Sequence, residues 1–338
     1  MLITLDRTSS RYVIAVTNST GWAELAADFS YLADLPPGNI IFDFTHLSGN
    51  LTSEKRFDYL PASFGFHPTD RLVEEVVCIS YFREQYILCP HQWHARLPSR
   101  ATKIGAFLAH MHIGQVLRKM RFEIEEAKVP ETGHDDSSRK NLIPLTDITL
   151  HKEQPDFNQL MSLRQQIEQT FNLALHGDAS LANRFTSVVN EAVDNLIQYA
   201  HGGWVAGLYY PHVGEVEISL VNRCGGFGGT TPQEQLDKLL TVIEGATERP
   251  EGGGHGIPEL LDLTHTYLGT LRLSNGNASL YISADGSMTS EIEDTGIHIP
   301  GGRVTLVLQL LPGHPLLNST AQAMVTVVRN IISQNQEI

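Results

Sequence analysis

Two oxygen-bearing side chains, Glu191 and Asn195, stand four residues apart in the stretch 188–201, VVNEAVDNLIQYAH. At helical spacing they stack on one face, one turn apart. A carboxylate and an amide placed this way can hold a hydrated Mg²⁺, which takes oxygen ligands and keeps several of its waters. The plainer interpretation is an amphipathic helix with a solvated polar face. Val188, Ala192, Leu196 and Tyr199 recur at steps of three and four, and Val189, Val193 and Ile197 form an apolar stripe beside them.

Two later stretches bear on that choice. Residues 217–229, EISLVNRCGGFGG, alternate as a strand, reach the polar Asn222 and enter a glycine-rich turn. Residues 252–261, GGGHGIPELL, are a glycine run that opens directly into a helix. The backbone N–H groups of such a run can approach a phosphate closely, and the helix N-terminus favours the anion. Each stretch alone is a weak signal, because most glycine-rich loops are only turns.

In series, these blocks resemble the GHKL ATPases, the family of gyrase, heat-shock chaperone, histidine kinase and mismatch-repair ATPases. Glu191 and Asn195 match the family's N box. Asn222 to Gly226 match its first glycine box, and Gly254, His255, Gly256 and Ile257 its second. Residues 299–306, IPGGRVTL, are similar to the closing strand, where the family often carries Gly-Thr. The resemblance covers residues 155–312, roughly half of the chain. It implies ATP and Mg²⁺ as cofactors, bound under a glycine-ended lid over residues 227–253. Glu191 would be the catalytic base acting on the attacking water, and Asn195 the Mg²⁺ ligand. Asn222 and Gly226 would lie at the nucleobase, and Gly254, His255, Gly256 and Ile257 around the phosphates. Lys238 and Arg249 are the lid cations that could reach phosphate.

Two departures stand out. The family's first glycine box begins with Asp, whose carboxylate accepts a hydrogen bond from the adenine amino group; here Asn222 stands in its place, followed by Cys224 where glycine is expected. Gly302 and Arg303, not Gly-Thr, follow Gly301. The leading expectation is therefore an ATPase that uses nucleotide to switch docking of its own parts or of a protein partner in signalling. Alternatives are a serine/threonine protein kinase similar to the anti-sigma kinases, a non-catalytic nucleotide-binding scaffold, and an interaction protein whose glycine loops are only turns.

The elements that must position these residues follow from the rest of the chain. Its 338 residues suit two domains. A net charge of −14 argues against general nucleic-acid affinity, which needs basic surface. Cys78, Cys89 and Cys224 are odd in number and dispersed, so no disulfide framework is expected. With no long apolar run and no leader-like start, a cytoplasmic protein without membrane association is expected.

Residues 2–5, 12–17, 39–44, 76–81 and 121–124 carry strand patterns, and 21–35 and 101–120 helical ones, so 1–124 forms a small α/β regulatory or interaction domain. It faintly resembles the STAS-like regulatory domains, without their phosphorylation loop; residues 48–53 occupy that place. Cys89, His91, His94, His110 and His112 lack standard zinc spacing and are taken as surface and core residues. Residues 125–153 have the polar composition of a linker. Residues 154–312 then give a helix from Asp156 to about Gly177, a helix capped by Ser180 or Asn183, a hairpin over 204–221, helices over 232–244 and 256–268, a hairpin turning at Asn275-Gly276, and a strand over 303–310. An amphipathic helix over 317–334, within 313–338, could dock on the core or support a homo-oligomer. The expected class is α/β (an α+β sandwich): GHKL-type helices on one face of a mixed sheet, preceded by the smaller α/β domain.

Overall fold

A computed structural model of the chain describes residues 3–6, 11–16, 36–47, 91–100, 102–126, 140–151, 154–211, 214–222, 226–243, 256–292 and 301–310. Helices and sheets are mixed, and the class is α/β. The helix expected over 21–35, the strand over 76–81, the helix over 317–334 and all three cysteines lie outside the described residues.

The first sheet has five strands in the order β1 (Ile3–Asp6), β2 (Arg11–Ala15), β3 (Asn39–Asp43), β4 (Gln92–Leu97) and β5 (Glu123–Glu126). The first pair is antiparallel and the other pairs are parallel. Between β4 and β5 the chain crosses through α1 (Lys103–His110) and α2 (Ile113–Lys119). Sequence periodicity predicts one helix here. It breaks because His112 adopts the left-handed conformation, φ 59°, which cannot continue a right-handed helix.

The second sheet has eight strands: β6 (Leu142–His151), β7 (Gln154–Pro155), β8 (Gly202–Tyr210), β9 (Glu215–Asn222), β10 (Thr270–Asn275), β11 (Ala278–Ser283), β12 (Met288–Ile292) and β13 (Gly302–Gln309). Their order is β12-β11-β10-β13-β9-β8-β6-β7. Every neighbouring pair is antiparallel. The mixed sheet expected of this half is thus an antiparallel one, and the mixed sheet is the N-terminal one. The physical reason lies in the connections: β8–β9, β10–β11 and β11–β12 are hairpins, and a short turn can only reverse the chain.

The stretch expected to be a linker, 125–153, also differs. It holds the end of β5 and all of β6, which pairs along β8 and buries Leu142, Ile143, Leu145 and Ile148. The polar run at 131–140 had set the reading of its apolar neighbours.

Helices α3 (Phe157–Ala174), α4 (Ala179–Ala200) and α6 (Gly256–Thr266) cover one face of the large sheet, and α5 (Pro232–Ile243) packs over its β10–β12 end. Asp156 caps α3 by accepting from the N–H groups of Asn158 and Gln159. Asp178, rather than Ser180 or Asn183, caps α4, accepting from Ser180 and Leu181 at 3.1 Å each. The rings of Phe171, Phe185 and Tyr267 meet under these helices, over Leu220, Leu271, Leu273 and Leu306 of the sheet. The opposite face shares a core with the first sheet: Trp204, Ala206 and Val221 join one buried cluster with Ile113 and Leu117 of α2 and Ile40, Phe42 and Trp93 of the small sheet. The Leu145 N–H donates to the Met111 carbonyl at 3.2 Å across that junction. No helix among the described residues is long and apolar enough to cross a membrane.

Along the ends of β3, β4 and β5 runs an ion network. Arg96 donates to Asp43 at 2.9 Å and to Glu125 through two nitrogens at 3.1 and 3.2 Å. Asp43, 4% exposed, also accepts from the backbone and hydroxyl of Thr45. Burial pushes the Asp43 carboxyl pKa up, but the two Thr45 bonds and the Arg96 charge outweigh it and hold the group below its ordinary 3.8. A depressed folded pKa contributes stability that is present above the unfolded value and lost as pH falls through the folded one. Arg96→Met should therefore destabilise the protein by about 1–3 kcal/mol at pH 7, by leaving Asp43 without its countercharge. The gap to wild type should narrow as pH drops below 3.8. Urea unfolding at both pH values checks this; equal stability at pH 7 would show that Arg96 does not hold Asp43.

Candidate functional site

Helix α4 forms because Phe185, Val188, Val189, Val193, Leu196 and Ala200 fall on one buried face. It ends at His201, φ 54°, and passes directly into β8 through Gly202. This places Glu191 and Asn195, both half-buried, on the side facing the start of α6. Gly256, the first residue of α6, is buried against them. A Cβ at Gly256 would lie 3.2 Å from Asn195 Nδ2 and 3.7 Å from Glu191 Oε1. The two helices are also tied by Arg184 donating to Asp262 at 3.1 Å. Neither the Glu191 carboxylate nor the Asn195 amide is hydrogen-bonded among the described residues.

A second group lies at the end of the large sheet, on its helix-bearing face. Gly203 pairs with Asn222, Gly302 with Asn275, and Asn275 with Ala278. Arg303 opposite Val221 brings Gly302 beside Asn222. The result is one rung, Gly203–Asn222–Gly302–Asn275–Ala278, across five strands. The glycines admit what lies above. Leu196 Cδ2 of α4 lies 3.3 Å from where a Gly203 Cβ would be, and the Phe227 ring 3.1 Å from where a Gly302 Cβ would be. Asn222 Nδ2 is likewise 3.1 Å from that Gly302 position.

The two asparagines of the rung differ sharply. Asn275, 3% exposed, is fully engaged: its Oδ1 accepts from the Phe227 N–H at 3.0 Å, and its Nδ2 donates to the carbonyls of Gly228 at 2.7 Å and Gln235 at 3.1 Å. Gln235, also buried, accepts from the Asn277 N–H at 3.0 Å. These bonds fasten the turn at Gly226 and the helix α5 to the β10–β11 hairpin. The Asn222 side chain makes no hydrogen bond among the described residues.

Of the residues singled out by sequence, the structure brings Glu191, Asn195 and Gly256 together. Ile257 follows Gly256 and packs against the helix-side core. Asn222 ends β9, and Gly226, φ 151°, begins the turn beside Asn275. Gly254, His255 and Arg249 lie outside the described residues. The lid expected over 227–253 is corrected in part. Residues 226–243 are docked: α5 buries Leu236, Leu239 and Val242 and starts at a capping box in which Glu234 accepts from Thr230 and Thr231. Lys238 is exposed on that helix. Sequence reasoning missed Asn275 and Gln235 as organisers. Asn275-Gly276 was read as a turn, which it is, but the partners of its side chain lie 40 to 48 residues away.

The donor set fits a cation held largely by a ligand. No three His, Cys, Asp or Glu side chains converge on a metal position among the described residues. One carboxylate and one amide beside a helix N-terminus instead suit Mg²⁺ that takes its remaining oxygens from water and phosphate.

Asn275→Ala should cost about 1–3 kcal/mol, since it removes the partner of the Phe227 N–H, of the buried Gln235 carbonyl and of the Gly228 carbonyl. Asn222→Ala, with no bond to lose, should stay within about 0.5 kcal/mol of wild type. Urea denaturation midpoints of the two variants measure the contrast; equal losses would contradict the division of labour. Compared with known proteins, the chain matches no family model, no curated protein and no solved structure.

Proposed function

We propose that this chain binds ATP with Mg²⁺ between α4, the start of α6 and the end of β9, and hydrolyses it to change how a protein partner docks. The observation that carries this is the meeting of Glu191, Asn195 and Gly256. Parts of two sequence blocks that resemble the N box and second glycine box of GHKL ATPases converge there, and Glu191 and Asn195 make no side-chain hydrogen bond among the described residues. The antiparallel sheet with helices on one face is compatible with such a site.

Asn195 would hold Mg²⁺ through its amide oxygen. Bound Mg²⁺ supplies charge neutralisation at the phosphates. The absence of a side chain at Gly256 lets the first N–H groups of α6 come close to Asn195 and Glu191, and there the helix dipole favours the negative charge of a phosphate. Glu191, a turn before Asn195, would orient a water and take its proton as the water oxygen attacks the γ-phosphorus and the bond to the β–γ bridging oxygen breaks, releasing ADP and phosphate. Such catalysis is mostly positioning and charge stabilisation, so these few groups suffice. Asn222 and Gly226 would border the base. The small sheet, faintly STAS-like, shares a buried core with the opposite face of the large sheet and would be the regulatory, partner-facing part of a cytoplasmic switch.

Titration calorimetry of the full chain with ATP and Mg²⁺ should show one site. Asn195→Ala should weaken that binding at least tenfold. Glu191→Gln should keep binding and lose roughly 10²-fold or more in phosphate release. Gly256→Val should weaken binding by pushing the start of α6 away from Asn195. Wild-type affinity in Asn195→Ala would sink the assignment.

A further inference from the structure

We infer that the nucleotide site accepts 6-amino and 6-oxo purines alike, because its base-reading group is an amide that no hydrogen bond among the described residues orients. This rests on the proposed nucleotide site and goes further by naming the class of base it takes.

The rung at the sheet end makes the case. It carries two asparagines on one face. Asn275 is held by three hydrogen bonds, so its oxygen and nitrogen positions are set by the fold. Asn222 has none among the described residues, yet it is only half-exposed, beside Gly302 and the Phe227 ring. An asparagine amide offers an acceptor oxygen and a donor nitrogen of nearly the same shape. A half-turn about its last torsion exchanges them, and at Asn222 no hydrogen bond among the described residues opposes the exchange. With Oδ1 forward it accepts from the 6-amino group of adenine. With Nδ2 forward it donates to the 6-oxo oxygen of hypoxanthine or guanine. A carboxylate at the same position could do only the first. Its two oxygens are acceptors, so a 6-oxo group would meet them oxygen to oxygen, and only a base shifted to present its N1–H could pair with them.

Discrimination of the strong kind arises when a mismatched ligand leaves a site group unpaired. Asn222 is unpaired by neither base. Selectivity at the 6-position should therefore be slight, and it should be restored by one change that scarcely alters volume, Asn222→Asp.

The test is calorimetric titration of the full-length protein, in Mg²⁺, with ATP and with inosine triphosphate. The latter replaces the 6-amino group by 6-oxo and adds a proton at N1, without the 2-amino group of guanine. Wild type should bind the two within about tenfold of each other. Asn222→Asp should retain ATP and weaken inosine triphosphate at least tenfold. Wild-type binding of ATP 100-fold tighter than inosine triphosphate overturns the inference and leaves the ATP site standing, and this ratio decides the matter even if the variant does not fold. A folded Asn222→Asp with an unchanged ratio overturns it too. Binding of neither nucleotide by wild type overturns both this inference and the nucleotide site beneath it.

Discussion

The close approach of α4 and the Gly226 turn to the end of the large sheet is the constraint on which the rest depends. It is possible because the rung beneath them carries glycine at Gly203 and Gly302. A Cβ at Gly203 would stand 2.2 Å from the Val221 carbonyl oxygen, which is backbone and cannot swing away, as well as 3.3 Å from Leu196. Leu196 follows Asn195, so the depth at which α4 lies on the sheet also sets where Asn195 and Glu191 stand. The same residues then meet Gly256, whose missing side chain brings α6 in. Glycine thus acts here at interfaces between elements as much as in turns, and the polar groups that could do chemistry lie where three such approaches meet.

The large sheet is unusual in having both faces covered at its centre. Along β9, Val216, Ile218 and Leu220 face the helices, while Glu215, Glu217 and Ser219 face the other way and are buried as well. Alternation of this sort ordinarily marks a half-solvated strand. Here the polar side is satisfied from within the sheet: Tyr210 donates to Glu217 at 3.3 Å, Gln309 donates to Glu215 at 2.7 Å, and Ser219 and Thr305 share a hydrogen bond at 3.3 Å. Buried carboxylates need such partners, because their desolvation is otherwise costly. The sheet end nearer β6 and β8 is apolar on this face and takes the packing of α2 instead.

How much of this was legible follows from how local each signal is. The periodicity of α4 and α6, the Asn275-Gly276 turn and the alternation of β9 and β13 are written in neighbouring residues, and they appear within a residue or two of expectation. Strand β4 is masked in the sequence by the metal-like spacing of His91, just before it, and His94, within it. His91 instead contacts the Gly38 backbone at 3.1 Å, and His94 lies 3.4 Å from Glu123. Strand β12 has no buried residue to betray it, and among the described residues its one sheet partner is β11. The candidate site was half legible. Glu191 and Asn195 announce themselves by spacing, and Gly256 by its place before a helix. The role of Asn275 was invisible, since nothing within ten residues of it explains why its amide must be buried.

An unpaired amide does not by itself mark a site, and α4 supplies its own counterexample. Asn190 Oδ1 and Thr186 Oγ1, one turn apart, are buried without a hydrogen-bond partner. Asp194, the next turn along that stripe, pairs with Arg164 of α3, so the stripe faces a neighbouring helix. A polar group shut between two helices has no space for a ligand. Glu191 and Asn195 differ in what stands opposite them: a glycine in place of a side chain, and the N-terminal end of an eleven-residue helix. A carboxylate and an amide facing a helix N-terminus can gain a cation and its anion together, with the helix dipole on the side of the anion. The stripe toward α3 has no such complement. The argument for function therefore rests on convergence of unlike groups rather than on any one residue left without a partner.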